Sequence, residues 1–97
     1  NVGSNARTSV IQVAQAINRY FGEHSKIHIS GAFREGDIRH GLADLTLARS
    51  LLRYEPKVEF NPGLQKFLAW AEENHLESSG YNRSINEMRQ RGVFHEL

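Results

Sequence analysis

Cysteine is missing from this sequence of 97 residues, and methionine and tryptophan occur once each. Without cysteine, a disulfide framework, thiolate metal ligands and a thiol nucleophile are all excluded. No apolar run comes near the roughly 20 residues that span a bilayer, and the first residues have no basic-then-apolar signal pattern. The sequence therefore predicts no membrane partner, and a cytoplasmic, reducing location fits it.

A strong charge of one sign is also missing. Twelve basic residues stand against eleven acidic ones, which leaves a formal net charge of +1. There is no broad field of the kind that draws proteins to nucleic acid, so we expect no nucleic-acid partner and only a local site for any anion. The length and the 39% hydrophobic content are typical of one domain with a modest core.

The first half of the chain predicts one helix and one short strand. Ser9 and Gln12 match a capping box at a helix start, and Gly22 is a typical stop. Residues 27–29 alternate apolar and polar, which predicts a strand, and residues 31–41 predict a polar loop. The apolar face of the helix comprises Val10, Val13, Ala14, Ile17, Tyr20 and Phe21.

Two further helices are predicted between residues 44 and 76. Asp44 can cap the second helix, which ends before Pro56. Asn61 is a suitable cap for the third, with Pro62 at its first position, where the missing N–H costs nothing. The third helix presents Leu64, Phe67, Leu68, Ala71 and His75 on one face.

The end of the chain predicts a linker and a last short helix. Residues 77–80 are small and polar, and residues 84–91 follow with a Ser84 and Glu87 capping box, closed by Gly92. The predicted fold class is α/β in the α+β sense, mainly helical with short strands. Because the chain begins with Asn1 and a strand-like dipeptide opens directly onto a turn, we expect a piece of a longer protein.

The sharpest candidate site lies in the polar loop, at Arg34-Glu35-Gly36-Asp37. Arginine presents a planar fork of donors that matches phosphate oxygens, and a carboxylate accepts hydrogen bonds from paired sugar hydroxyls. Gly36 allows a turn that places both side chains on one side. The residues could clamp a nucleotide diphosphate. Taken alone, they are more typical of a solvated ion pair of little energetic consequence.

Two other features have weaker functional interpretations. The small residues 3–9 precede a helix N-terminus, where free N–H groups favour an anion, but an ordinary turn explains them equally well. Five histidines are present, and His24 and His28 stand four apart, although the intervening residues do not read as helix. With no clustered third ligand, we predict no metal site.

Several segments of the sequence resemble those of a known family. Over residues 1–76 the sequence is similar to the C-terminal region of extended short-chain dehydrogenase/reductases of the nucleotide-sugar epimerase/dehydratase family. We therefore expect a nucleotide-sugar-binding subdomain at 1–76, and a linker with a helical extension at 77–97. The matching segments, in register, are Asn1-Val2-Gly3-Ser4, Thr8-Ser9-Val10, Arg34-Glu35-Gly36-Asp37-Ile38-Arg39-His40, Leu42-Ala43-Asp44, Ala48-Arg49, Leu51-Leu52, Tyr54-Glu55-Pro56 and Gly63-Leu64.

The resemblance implies a homodimeric parent enzyme that binds NAD in an N-terminal Rossmann domain. That parent would be a 4-epimerase or a 4,6-dehydratase acting on a UDP- or dTDP-sugar. On this template Arg34 binds the diphosphate and Asp37 the ribose hydroxyls. Ala6 lies against the base, and Arg39 and His40 are neighbours of the pocket.

The sequence also departs from the family. It has no Gly-x-x-Gly-x-x-Gly, and none of Tyr20, Tyr54 and Tyr81 has a lysine four positions later, so we expect this chain to hold neither NAD nor a catalytic residue. Arg53 stands where a glycine usually ends a helix. One alternative is a stand-alone module that binds a phosphorylated ligand through residues 34–40. Another is a small nucleic-acid-binding domain, but the lack of a clustered basic face argues against it.

Overall fold

The computed structural model describes residues 1–74 and 79–97, and this part of the chain contains four helices and one two-stranded sheet. The mainly helical architecture with short strands agrees with the predicted class. Within the same residues, no helix is long and apolar enough to cross a membrane. The elements are α1 (Val10–Tyr20), β1 (Phe33–Arg34), α2 (Thr46–Leu52), α3 (Phe60–Glu73), α4 (Tyr81–Gln90) and β2 (Phe94–His95).

Helix α1 begins with the predicted capping box. The Gln12 amide donates to Ser9 Oγ at 3.2 Å, and the Ser9 amide donates to Gln12 Oε1 at 2.8 Å. Each side chain therefore satisfies a backbone donor that the helix leaves unpaired. Gly22 follows the helix with a φ of +84°, a left-handed conformation that glycine adopts without strain. Both predicted ends of this helix are confirmed.

Helix α2 begins one residue later than an Asp44 cap would place it. Leu45 is the N-cap residue, and no side chain caps the helix there. Asp44 still stabilises this end, because its Oδ1 accepts from the Thr46 amide at 2.9 Å and from Thr46 Oγ1 at 2.6 Å. At the other end, Arg53 has a φ of +52°, which is the conformation that a glycine would take more easily.

The pair of hydrogen bonds at Asp44 makes the stability of the fold depend on pH. The bonds from Thr46 lower the pKa of Asp44 from its usual 3.8, because they favour the ionised carboxylate. A lowered pKa contributes stability that is full above the unfolded value and is lost as the pH falls through the folded one. Asp44→Asn keeps an acceptor oxygen but cannot titrate. We expect the wild type to exceed this variant in free energy of unfolding at neutral pH.

Urea unfolding of both proteins between about pH 7 and about pH 3 measures that difference. The stability advantage of the wild type should shrink as the pH drops below 3.8, the ordinary pKa of the carboxyl group. An advantage that is the same at every pH would mean that the charge of Asp44 does not stabilise the helix end.

The predicted start of the third helix is wrong. Helix α3 begins at Phe60, with Glu59 as the N-cap residue, so Asn61 and Pro62 are its second and third residues. The proline is tolerated there because the first four N–H groups of a helix have no partner within it, and an N–H can be missing from any of these positions. The predicted position of His75 on this helix lies outside the described residues.

One compact unit comprises Asn1–Ile27 and His40–His75. Its buried side chains are Leu45, at 2% exposure, with Ala48 and Leu68. Two hydrogen bonds tie distant parts of the unit together: Tyr20 Oη donates to Glu72 Oε2 at 2.8 Å and Tyr54 Oη donates to the Gly3 carbonyl at 3.0 Å. The bond to Glu72 raises the pKa of the Tyr20 phenol, because it favours the protonated form.

A second compact unit comprises His28–Arg39 and Leu76–Leu97. Its strands are antiparallel, with Phe33 opposite His95 and Arg34 opposite Phe94. Strand β1 lies inside the predicted loop, whereas residues 27–29 and the strand-like dipeptide at the start of the chain form no strand. The alternation of apolar residues failed as a signal here because β1 forms where β2, far along the chain, can pair with it.

The predicted capping box of the last helix is wrong. Helix α4 begins at Tyr81, and Gly80 is its N-cap residue. Ser84 lies within the helix, where its amide donates to the Gly80 carbonyl at 2.9 Å. Glu87 forms an ion pair with Arg83 at 3.1 Å instead. Gly92 follows the helix with a φ of +68°, as the predicted stop requires. The predicted boundary between residues 76 and 77 lies outside the described residues.

Candidate functional site

The 34–37 turn, formed by Arg34, Glu35, Gly36 and Asp37, is the structural centre of the candidate site. The Asp37 amide donates to the Arg34 carbonyl at 3.2 Å, which closes a four-residue turn. Gly36 occupies its third position with a φ of +85°, as in a type II turn. Any other residue would be strained there, so the glycine is needed for the conformation that brings the first and last residues together.

Arg34 and Asp37 form an ion pair across this turn. Arg34 Nε donates to Asp37 Oδ2 at 2.9 Å, and both side chains are about half exposed. Among the described residues, none accepts a hydrogen bond from the two Nη groups of Arg34. The pair therefore leaves donors on the guanidinium and an oxygen on the carboxylate that a ligand can reach. An exposed pair of this kind adds little to stability by itself.

The backbone of the 34–37 turn is held by the C-terminal segment. The Glu35 amide donates to the Val93 carbonyl at 2.8 Å, which continues the register of β1 and β2 by one residue pair. The rings of Phe33 and His95 stack with their centroids 5.1 Å apart. The sequence did not predict this pairing, because the short β2 strand has no local pattern that indicates which strand it pairs with.

The other three predicted site residues divide between the two compact units. Arg39 belongs to the same compact unit as the 34–37 turn, whereas Ala6 and His40 belong to the other unit. Arg39, Ala6 and His40 are exposed. Of the five predicted residues, the structure joins Arg34 and Asp37 by a direct contact. The ligand roles of all five stay predictions.

A cleft of about 720 Å³ opens in the first unit, beside the small-residue turn before α1. Ser4 to Thr8 line one part of it, including Ala6. Arg49 also lines the cleft, and its Nε donates to Glu55 Oε1 at 2.9 Å. Its other basic lining residues are Arg7, Arg19 and Lys57. Within the described part of the chain, no group of three or more histidine and carboxylate side chains could hold a metal ion.

Comparison with known proteins gives the chain a set of relatives. It is 30% identical over 70 residues to a dTDP-L-rhamnose 4-epimerase of Burkholderia thailandensis, a match that covers 72% of the chain and 19% of the relative. It is 29% identical over 66 residues to a UDP-glucuronate 4-epimerase of Thermodesulfobacterium geofontis, covering 68% and 20%. The chain is similar to nucleotide-sugar 4-epimerases.

A third 4-epimerase extends this similarity to plants. UDP-glucuronate 4-epimerase 5 of Arabidopsis thaliana is 30% identical over 70 residues, or 72% of the chain and 16% of the relative. The chain thus spans about a fifth or less of the length of these 4-epimerases. No family model and no solved structure matches it. The expected resemblance to nucleotide-sugar epimerases is confirmed at this level.

Proposed function

We propose that the chain is the nucleotide-sugar-binding part of an NAD-dependent 4-epimerase, with a UDP- or dTDP-sugar as its ligand. The observation that carries the proposal is the similarity to 4-epimerases whose names include both a UDP-sugar and a dTDP-sugar. These two kinds of ligand share a pyrimidine nucleoside diphosphate. The exposed guanidinium and carboxylate of the 34–37 turn suit that shared portion. A 4,6-dehydratase of the same family would use the same binding chemistry.

In this proposal the chain binds and orients, and it transfers no hydride. The Nη groups of Arg34 donate to diphosphate oxygens, since a guanidinium matches two such acceptors at once. Asp37 accepts from ribose hydroxyls, and its contact with Arg34 keeps the two groups side by side. Ala6 contacts the base, and Arg39 and His40 lie at the edge of the pocket.

In this proposal, NAD binds to a part of the enzyme that lies outside the present chain. The chain has no Gly-x-x-Gly-x-x-Gly that would bring a helix N-terminus to a pyrophosphate, and it has no Tyr-x-x-x-Lys. Its own residues do not fit the cofactor, so we assign them no step in the redox chemistry. The cofactor and the catalytic tyrosine would come from a Rossmann domain in the same parent chain, which would form a homodimer in the cytoplasm.

The exposed apolar face of α2 is consistent with a further domain that packs against it. Leu45, its N-cap residue, and Ala48 are buried, whereas Leu47, Leu51 and Leu52 are exposed. Exposed apolar side chains in a short helix commonly mark a surface that another domain or protein covers. A Rossmann domain is the occupant we propose, because about four fifths of the relatives' length lies outside the matched region.

The coding sequence upstream of Asn1 tests this proposal without any binding measurement. We expect an open reading frame that continues upstream and encodes a Gly-x-x-Gly-x-x-Gly between a strand and a helix, followed by a Tyr-x-x-x-Lys. A start codon immediately before Asn1 would contradict it. The chain would then be a stand-alone module for a phosphorylated ligand, and the catalytic parent would not exist.

A further inference from the structure

The C-terminal segment, residues 81–97, is in direct contact with the candidate ligand-binding turn. The Val93 carbonyl accepts from the Glu35 amide at 2.8 Å, so the second residue of the 34–37 turn is bonded to this segment. One residue further along, Phe94 pairs with Arg34, which carries the proposed diphosphate contact. The backbone on which the Arg34 side chain stands is therefore part of a ladder that residues 93–95 complete.

Side chains on both sides of this ladder strengthen the contact. His95 stacks on Phe33, and its Nε2 lies 4.0 Å from Glu35 Oε2. Leu97 lies against the backbone of Gly31, where an added Cβ would come within 2.9 Å of Leu97 Cδ1. The segment thus covers the chain from two residues before β1 to the first half of the turn.

Helix α4 anchors the strand that makes these contacts. Ile85 is buried, and it lies on the helix that leads into β2. Arg89, in the last turn of α4, forms an ion pair with Glu96, and its guanidinium carbon lies 5.6 Å from the centre of the Phe94 ring. A cation is attracted to the face of an aromatic ring at this distance. These contacts hold Phe94, the residue that pairs with Arg34, and Glu96 beyond it against α4.

We propose that residues 81–97 are a positioning element, which holds the 34–37 turn in the conformation that presents Arg34 and Asp37 to a nucleoside diphosphate. The proposal rests on the function proposed above. Its physical reason is that a strand of two residues has too few contacts to stay ordered by itself. Without its partner strand, the turn would sample other conformations, and ligand binding would have to order it again at a cost in affinity.

The test is to remove residues 94–97 from the complete protein and to titrate it with UDP in a calorimeter. We expect the affinity for UDP to fall by up to about tenfold, which does not exceed the loss expected for Arg34→Ala. Amide hydrogen exchange at Glu35 should become faster, because its acceptor is no longer held in place. Arg53→Ala is the control: it removes an exposed guanidinium from the end of α2, in the other compact unit, and should leave the affinity for UDP unchanged.

A double variant separates positioning from general stability. If the segment acts by positioning the turn, removing residues 94–97 from an Arg34→Ala protein should cost less affinity for UDP than removing them from the wild type, since the Arg34 contact is already gone. An equal loss in both backgrounds would overturn the positioning role. If the shortened protein fails to fold, as seen in its circular dichroism, His95→Ser replaces it: this change removes the stack on Phe33 and keeps the backbone pairing.

The outcomes distinguish this inference from the function on which it rests. An unchanged affinity for UDP in both the shortened protein and His95→Ser, together with a weakened Arg34→Ala, would overturn the positioning role alone. An Arg34→Ala protein that binds UDP as well as the wild type would overturn the proposed function and the positioning role with it.

Discussion

Arg34→Ala in the complete protein is expected to weaken UDP binding by about one to two decades, with NAD binding unchanged. The physical reason is the loss of a charge-assisted contact to the diphosphate, which is worth about 1.5 to 3 kcal/mol. Arg34 is about half exposed and engages Asp37 through Nε alone, so its Nη donors are available to a ligand. Calorimetric titration with UDP, and separately with NAD, measures both affinities.

The control for this variant is another exposed arginine, outside the proposed binding residues and the 81–97 segment. Arg53→Ala removes the same chemical group from the end of α2 and should bind UDP like the wild type. Asp37→Ala adds a second comparison: its loss should be larger for UDP than for dTDP, because deoxyribose has no 2′-hydroxyl for the carboxylate to accept from. Equal affinity for UDP in Arg34→Ala and the wild type would contradict the assignment of the diphosphate contact.

Leu45→Ala is expected to cause the largest loss of stability among single substitutions in the first unit. Leu45 is 2% exposed, and truncating a buried leucine costs about 2 to 5 kcal/mol through lost burial and the cavity left behind. A domain of this size has little stability to spare, so the variant should be partly unfolded at room temperature. Urea unfolding followed by circular dichroism measures the change.

Leu51→Ala is the matched control for that substitution. It makes the same chemical change on α2, but in the chain of residues 1–97 by itself Leu51 is 75% exposed, so the substitution should cost no more than about 0.5 kcal/mol there. Similar losses in the two variants of this chain would mean that Leu45 does not form the core of this unit. Greater loss at Leu51 than at Leu45 would mean that the exposed face of α2 is covered within the chain itself.

The elements that sequence reasoning predicted well are those whose signals are local. The capping box of Ser9 and Gln12, and the stops at Gly22 and Gly92, each depend on a few neighbouring residues, and the structure contains all of them. Local signals failed where several positions satisfy the same rule. Ser84 and Glu87 match a capping box, but the helix begins three residues earlier, at Tyr81, with Gly80 as its N-cap residue.

Strands were harder to predict because a strand needs a partner. Residues 27–29 alternate better than Phe33 and Arg34 do, yet β1 forms where β2 can pair with it. In the candidate site, too, local contacts could be predicted from the sequence and distant ones could not. The contact between Arg34 and Asp37 follows from a four-residue turn around Gly36 and could be predicted from the sequence. The hydrogen bond from the Glu35 amide to the Val93 carbonyl could not be predicted, because no sequence pattern near Glu35 indicates so distant an acceptor.

The most direct test of the central claim is a titration of the 15N-labelled protein with UDP, followed by nuclear magnetic resonance. We expect saturable shifts of the backbone amides of Glu35, Gly36 and Asp37, together with the Nε–H signal of Arg34, at one common dissociation constant. Arg34→Ala should remove these shifts or move saturation to about tenfold higher UDP or more. A saturable response elsewhere in the protein, with the signals of the 34–37 turn unmoved, would contradict the account.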